Sequence, residues 1–105
     1  MAEITLSRDA YKTLCFIYKE YLSRRKNNIS KSSSSIFQST DFETLFPDIT
    51  QEDFMSDLSE LKRHNFVRMY IDGSFILNSE AIVYMENRFK NGLIEVADFI
   101  SKFIH

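Results

Sequence analysis

The chain has 105 residues, a net charge of −2, 44% hydrophobic residues and 27% charged residues. That length suits one domain with one core, since domains run to roughly 100–200 residues, and the balance is too apolar for intrinsic disorder. No run of about 18 apolar residues is present to cross a membrane as a helix, and the single cysteine, Cys15, has no internal disulfide partner. Met1 to Leu6 lacks a basic-then-apolar leader, so a cytoplasmic location is expected for a single domain over residues 1–105.

Ser7 is placed to cap a helix whose apolar face is Tyr11, Leu14, Cys15, Tyr18, Tyr21 and Leu22, and which runs to about Lys26. Arg24, Arg25 and Lys26 crowd its end, and Asn27-Asn28 provide a stop. Ile29 to Lys31 reads as a very short strand. The serine run Ser32 to Ser35 reads as flexible or weakly helical, because serine hydroxyls compete for backbone groups. Ile36 and Phe37 then return the chain to the core. Two capping boxes follow, from Thr40 to Glu43 and from Thr50 to Asp53. The first opens a short helix that Pro47 ends. The second opens a helix with Phe54, Leu58 and Leu61 on its buried face, terminated by a left-handed Asn65.

Beyond Asn65 the period changes to two. Val67, Met69 and Ile71 alternate with Phe66, Arg68 and Tyr70, and Asp72-Gly73 predicts a type I′ hairpin turn returning through Ser74 to Leu77. Tyr70 and Phe75 are either core or an exposed aromatic anchor. Asn78 or Ser79 caps a final helical region, about 79–104. Its stripe of Ile82, Met85, Phe89, Leu93, Val96, Ile100 and Phe103 spans about three heptads, with Gly92 as a kink or break. That stripe either folds back on the first helix or, through Phe89, Leu93, Val96, Ile100 and Phe103, forms a homodimer seam.

The predicted class is α+β, mostly α: a winged helix-turn-helix with a short hairpin wing and a C-terminal amphipathic helix. The stretch FILNSEAIVYME, residues 75–86, resembles the exit from the second wing strand of many winged-helix proteins. Leu77, Tyr84 and Glu86 match that pattern; Met85 stands for leucine, Asn78 for threonine and Ala81 for glycine. In layout, residues 7–104 resemble the YjcQ-type family of small phage-associated winged-helix proteins. That resemblance implies an acidic second helix in the turn motif, a short wing, and a phage or mobile-element setting in which a host factor is the target.

Residues suited to chemistry are few. His64 ends a helix, His105 is the last residue, and neither stands at a recognisable spacing from a nucleophile and a carboxylate. Cys15 lies on an apolar face as a small hydrophobe. Gly73 and Gly92 are the only glycines, so no glycine-rich phosphate loop exists, and neither metal nor cofactor is expected. An enzyme is not expected.

Charge patterning speaks instead to binding. Residues 1–38 carry a net +4, residues 39–65 a net −5, and residues 66–105 a net −1. In a winged domain the helix after the turn enters the major groove. Helical geometry places Glu52, Ser56, Ser59, Glu60 and Arg63 on its outward face, with Asp53 and Asp57 flanking. Four acids there disfavour duplex DNA, and favour a protein with a basic surface engaging Glu52, Asp53, Ser56, Asp57 and Glu60. The basic cluster Arg24, Arg25, Lys26 and Lys31 is either helix-end stabilisation or a contact with phosphate or an acidic partner. A DNA-binding regulator is the alternative function.

Overall fold

A computed structural model describes residues 4–46 and 48–102. Helix α1 (Arg8–Lys26) is followed by a four-residue helix α2 (Lys31–Ser34), strand β1 (Ile36–Phe37) and helices α3 (Asp41–Leu45) and α4 (Gln51–Arg63). The hairpin β2 (Val67–Met69) and β3 (Phe75–Leu77) leads into α5 (Ser79–Arg88) and α6 (Leu93–Ser101). The architecture is mostly helical α+β, with a three-stranded antiparallel sheet ordered β1-β3-β2.

Local chemistry accounts for most element boundaries. The Ser7 hydroxyl accepts from the Ala10 N–H at 3.1 Å and starts α1. Both long helices before the hairpin end on a left-handed asparagine, Asn28 at φ 66° and Asn65 at φ 61°. In each case the residue beyond reaches back to a helix carbonyl: Ile29 N–H to Arg24, and Phe66 N–H to Leu61. Ser30 caps α2 by accepting from Ser33 N–H at 3.2 Å. The expected strand at Ile29 to Lys31 is therefore absent; the serines form a helical turn, and the strand begins at Ile36. Thr50 caps α4 through Asp53 N–H, but Thr40 makes no capping bond. The entry to α3 is organised instead by Asp41, whose carboxylate accepts from Gln38 N–H at 2.8 Å. Pro47, expected to end α3, lies outside the described residues.

The register Ile36↔Ile76↔Arg68 and Phe37↔Phe75↔Met69 gives the sheet two faces. Phe37, Phe75, Leu77 and Val67 are buried, while Ile36 and Arg68 are exposed. The hairpin loop has three residues, 71–73, closed by Tyr70 N–H to Ser74 O at 3.0 Å. Only Gly73 has positive φ there, at 89°, so the expected type I′ turn is replaced by a loop with glycine in the left-handed position. Asp72 holds the loop by accepting from the Ser74 N–H and hydroxyl at 2.9 and 2.6 Å. Ile71 is consequently at the tip and fully exposed rather than on the inward face; Tyr70 is exposed and Phe75 is core.

An aromatic cluster joins the first half of the chain to the hairpin. Phe54 of α4 lies 4.7 Å from Phe46, 4.9 Å from Phe42 and 5.9 Å from Phe75, centroid to centroid. Aromatic pairs at such separations contribute about 0.5–1.5 kcal/mol beyond area burial. The final stripe is not one helix of about 79–104. Gly92, at φ 64°, breaks it into α5 and α6, and α6 turns back against α1, where Phe99 packs edge-on to Tyr11 at 5.7 Å. Phe89, Val96 and Ile100 are buried, and Leu93 is half-buried. Of the two alternatives for the stripe, fold-back on the first helix or a dimer seam, Phe89, Leu93, Val96 and Ile100 follow the first and pack on the chain's own core; Phe103 lies outside the described residues.

Candidate functional site

The surface around α4 is decided by which flank α1 covers. Phe54, Leu58 and Leu61 are buried as their spacing requires. Residues on the adjoining edge then fall against α1. Asp57, 8% exposed, accepts a hydrogen bond from the Thr13 hydroxyl at 2.5 Å. Glu60 accepts from Ser7 twice, from its N–H at 2.7 Å and its hydroxyl at 2.8 Å. Two of the four acids expected on or flanking the outward face, Glu60 and Asp57, are therefore straps to α1, and their expected availability to a partner is corrected. Glu52, Asp53 and Ser56 are exposed as expected, together with Met55, Ser59, Lys62 and Arg63. The exposed strip runs from acidic at its N-terminal end to basic at its C-terminal end.

Burial and neighbouring charge act oppositely on the two straps. Burial, reinforced by Asp9, Asp53 and Glu60, pushes the Asp57 carboxyl up, against the lowering effect of the Thr13 hydroxyl. The Ser7 backbone N–H, with its hydroxyl and the charges of Arg63 and His64, holds Glu60 below its ordinary value. Beside Asp57 a cleft of about 230 Å³ is lined by Asp9, Lys12, Thr13, Asp48, Asp53 and Ser56 among others. Among the described residues no group of three or more His, Cys, Asp or Glu is placed to hold a metal ion.

The basic cluster also divides. The Arg24 guanidinium donates to Ile36 O at 2.6 Å, pairs with Glu20 at 2.9 Å and Asp41 at 3.5 Å, and sits 4.4 Å over the Phe37 ring. It ties α1 to β1 and α3, so of the two roles open to the cluster, helix-end stabilisation or ligand contact, Arg24 has a structural one as a clamp. Arg25 donates to Ile29 O at 3.1 Å; Arg25, Lys26 and Lys31 are exposed. Lys31 lines a groove of about 590 Å³ whose apolar walls include Ile36, Ile76 and Ile82. The groove is not legible in the sequence because its walls come from four separate elements, α2, β1, β3 and α5.

Cys15 is fully buried, and burial pushes its thiol up to about 12, far from a reactive thiolate. His64 is the C-cap of α4 with its ring 6.1 Å from Phe66, and His105 lies outside the described residues. Asn78 begins α5 but its side-chain amide donates to Asn65 O at 3.0 Å rather than capping the helix. It joins the end of α4 to the start of α5. No described helix is long and apolar enough to cross a membrane. No family model, curated protein or solved structure matches this chain.

Proposed function

We propose that the chain is a winged helix-turn-helix domain that acts by binding, without catalysis, docking the acidic end of α4 on a basic site of another protein as an inhibitor or regulator. The topology supports the winged reading: α3 and α4 make the turn motif, β2 and β3 the wing, and β1 pairs with the far edge of β3. One observation carries the choice of partner. Asp48, Glu52 and Asp53 are exposed at this end, Asp48 and Asp53 lining one cleft with Asp9 and Lys12, and the sequence holds no Lys or Arg between Lys31 and Lys62. A polyanion pressed there meets like charge within a Debye length of about 8 Å. A cationic protein surface gains instead, mainly in association rate and orientation. The resemblance to the YjcQ-type family supports a phage or mobile-element origin and a host protein as the partner.

The DNA-binding regulator stands as a second reading on a single observation. Withdrawal of Asp57 and Glu60 toward α1 leaves Ser56, Ser59, Lys62 and Arg63 exposed on α4, with Arg68 exposed on the wing. Fluorescence anisotropy with a labelled Lys/Arg-rich peptide and a labelled duplex of mixed sequence separates the two. The wild type is expected to bind the peptide in a salt-dependent manner and the duplex weakly. Glu52→Lys with Asp53→Lys is expected to weaken peptide binding about tenfold or more and to strengthen duplex binding. Tight duplex binding by the wild type, reduced by Arg63→Ala, refutes the first reading and establishes the second.

A further inference from the structure

A second cleft, of about 390 Å³, lies between the start of α1 and the end of α5, with Ile4, Leu6, Arg8, Tyr11, Tyr84 and Arg88 among its walls. Arg8 and Tyr11 are three residues apart on α1, and Tyr84 and Arg88 four apart on α5, so each pair shares one helix face. The Arg88 guanidinium sits 4.5 Å from the Tyr84 ring centroid and 5.5 Å from that of Tyr11. Both rings are themselves fixed: Tyr84 against Phe66 at 4.9 Å, and Tyr11 against Phe99 at 5.7 Å. The cation is therefore held in place by packing before any ligand arrives.

The contrast with Arg24 is informative. Arg24 has two carboxylates and a short carbonyl contact, whereas among the described residues neither Arg8 nor Arg88 forms an ion pair. Among the described residues no carboxylate lines this cleft, and Asp9, the next residue after Arg8, lines the acidic cleft instead. The described walls offer two guanidiniums, two phenols and apolar surface, with no carboxylate among them. A guanidinium whose face is stacked on an aromatic ring keeps its N–H edge for a planar oxyanion, which it binds bidentately.

We infer that this cleft binds a small organic anion, a carboxylate or phosphate monoester carried on a flat apolar body. The anion takes the N–H edge of Arg88 with Arg8 as a second cation, and the body lies among Tyr11, Tyr84 and Leu6. The volume lies within the roughly 300–1,000 Å³ usual for ligand sites. It suits a small molecule better than a polymer.

NMR titration of the full chain at low salt tests this, following the Arg88 side-chain N–H and the Tyr11 and Tyr84 ring signals. The probes are benzoate, phenyl phosphate, inorganic phosphate and benzyl alcohol. Saturable shifts are expected with benzoate or phenyl phosphate, and whichever binds more tightly assigns the oxyanion. Each partial probe, anion alone or apolar body alone, should bind about tenfold more weakly. Arg88→Gln should abolish the shifts and Arg8→Gln should weaken binding several-fold, with both variants keeping the wild-type dispersion of core signals. Overturning results are the absence of saturable shifts with either aromatic anion, equal binding of inorganic phosphate, binding unchanged in both variants, or shifts elicited only by duplex DNA.

Discussion

Arg24 lies in the strongest basic cluster of the sequence, yet its contacts are those of a clamp, and the two roles give opposite results on substitution. Arg24→Met keeps most of the stem and removes the guanidinium. The charge-assisted bond to Ile36 O contributes about 1.5–3 kcal/mol, the stacking on Phe37 about 0.5–1 kcal/mol, and the pair with Glu20 at most about 0.5 kcal/mol. Ile36 is exposed, so water recovers part of the lost carbonyl bond. The net expectation is a loss of about 2 kcal/mol, or roughly 10 °C in Tm. Urea unfolding followed by circular dichroism reads this as a midpoint lowered by roughly 1–2 M. Arg24→Lys should recover less than half of the loss, because an ammonium cannot bond a carbonyl and two carboxylates while lying over a ring. A change below about 0.5 kcal/mol in Arg24→Met, or full recovery with lysine, refutes the clamp.

Three other outcomes follow from the packing. Glu60, held low by Ser7, stabilises the fold above the ordinary carboxylate range, and that contribution is lost as pH falls through its lowered value. Glu60→Gln should therefore cost about 1 kcal/mol at neutral pH, after discount for solvent screening, and little in acid. Asp57 has the opposite sign: its pKa is raised, so its ionised form costs stability above the raised value, and the cost is relieved as pH falls through it. Asp57→Asn, which keeps an acceptor for Thr13, should be neutral or stabilising at pH 7, with that advantage shrinking in acid on the same unfolding assay. Ile100→Ala should cost about 2–4 kcal/mol, with a Tm independent of protein concentration. A concentration-dependent Tm would place that side chain between two copies.

The features legible in the sequence are those set by one element at a time. The apolar spacing of α1 and α4, the Ser7 and Thr50 caps, the stop at Asn27-Asn28 and the left-handed Asn65 all depend on local periodicity or local backbone geometry. What was not legible depends on a neighbour. Spacing identifies Phe54, Leu58 and Leu61 as buried but leaves open which flank a second helix will cover, and so it places Glu60 on the outward face and Asp57 beside it. The same limit applies to Arg24, whose partners belong to β1 and α3. The serine run was ambiguous for another reason: Ser30 caps the next turn only when the following serines take helical geometry. In the candidate site, the exposed acids Glu52 and Asp53 were recoverable from the sequence. The cleft of Arg8, Tyr11, Tyr84 and Arg88 was not, because it joins residues more than 70 positions apart in the chain.

The two straps between α1 and α4 also bear on how the molecule assembles. Ser7 and Glu60 are 53 residues apart, and Thr13 and Asp57 are 44 apart. Closing so long a loop precedes any return from these bonds. The start of the first helix is then expected to be secured late, after the barrier, so that cutting either tie should hasten unfolding while leaving the refolding rate nearly untouched.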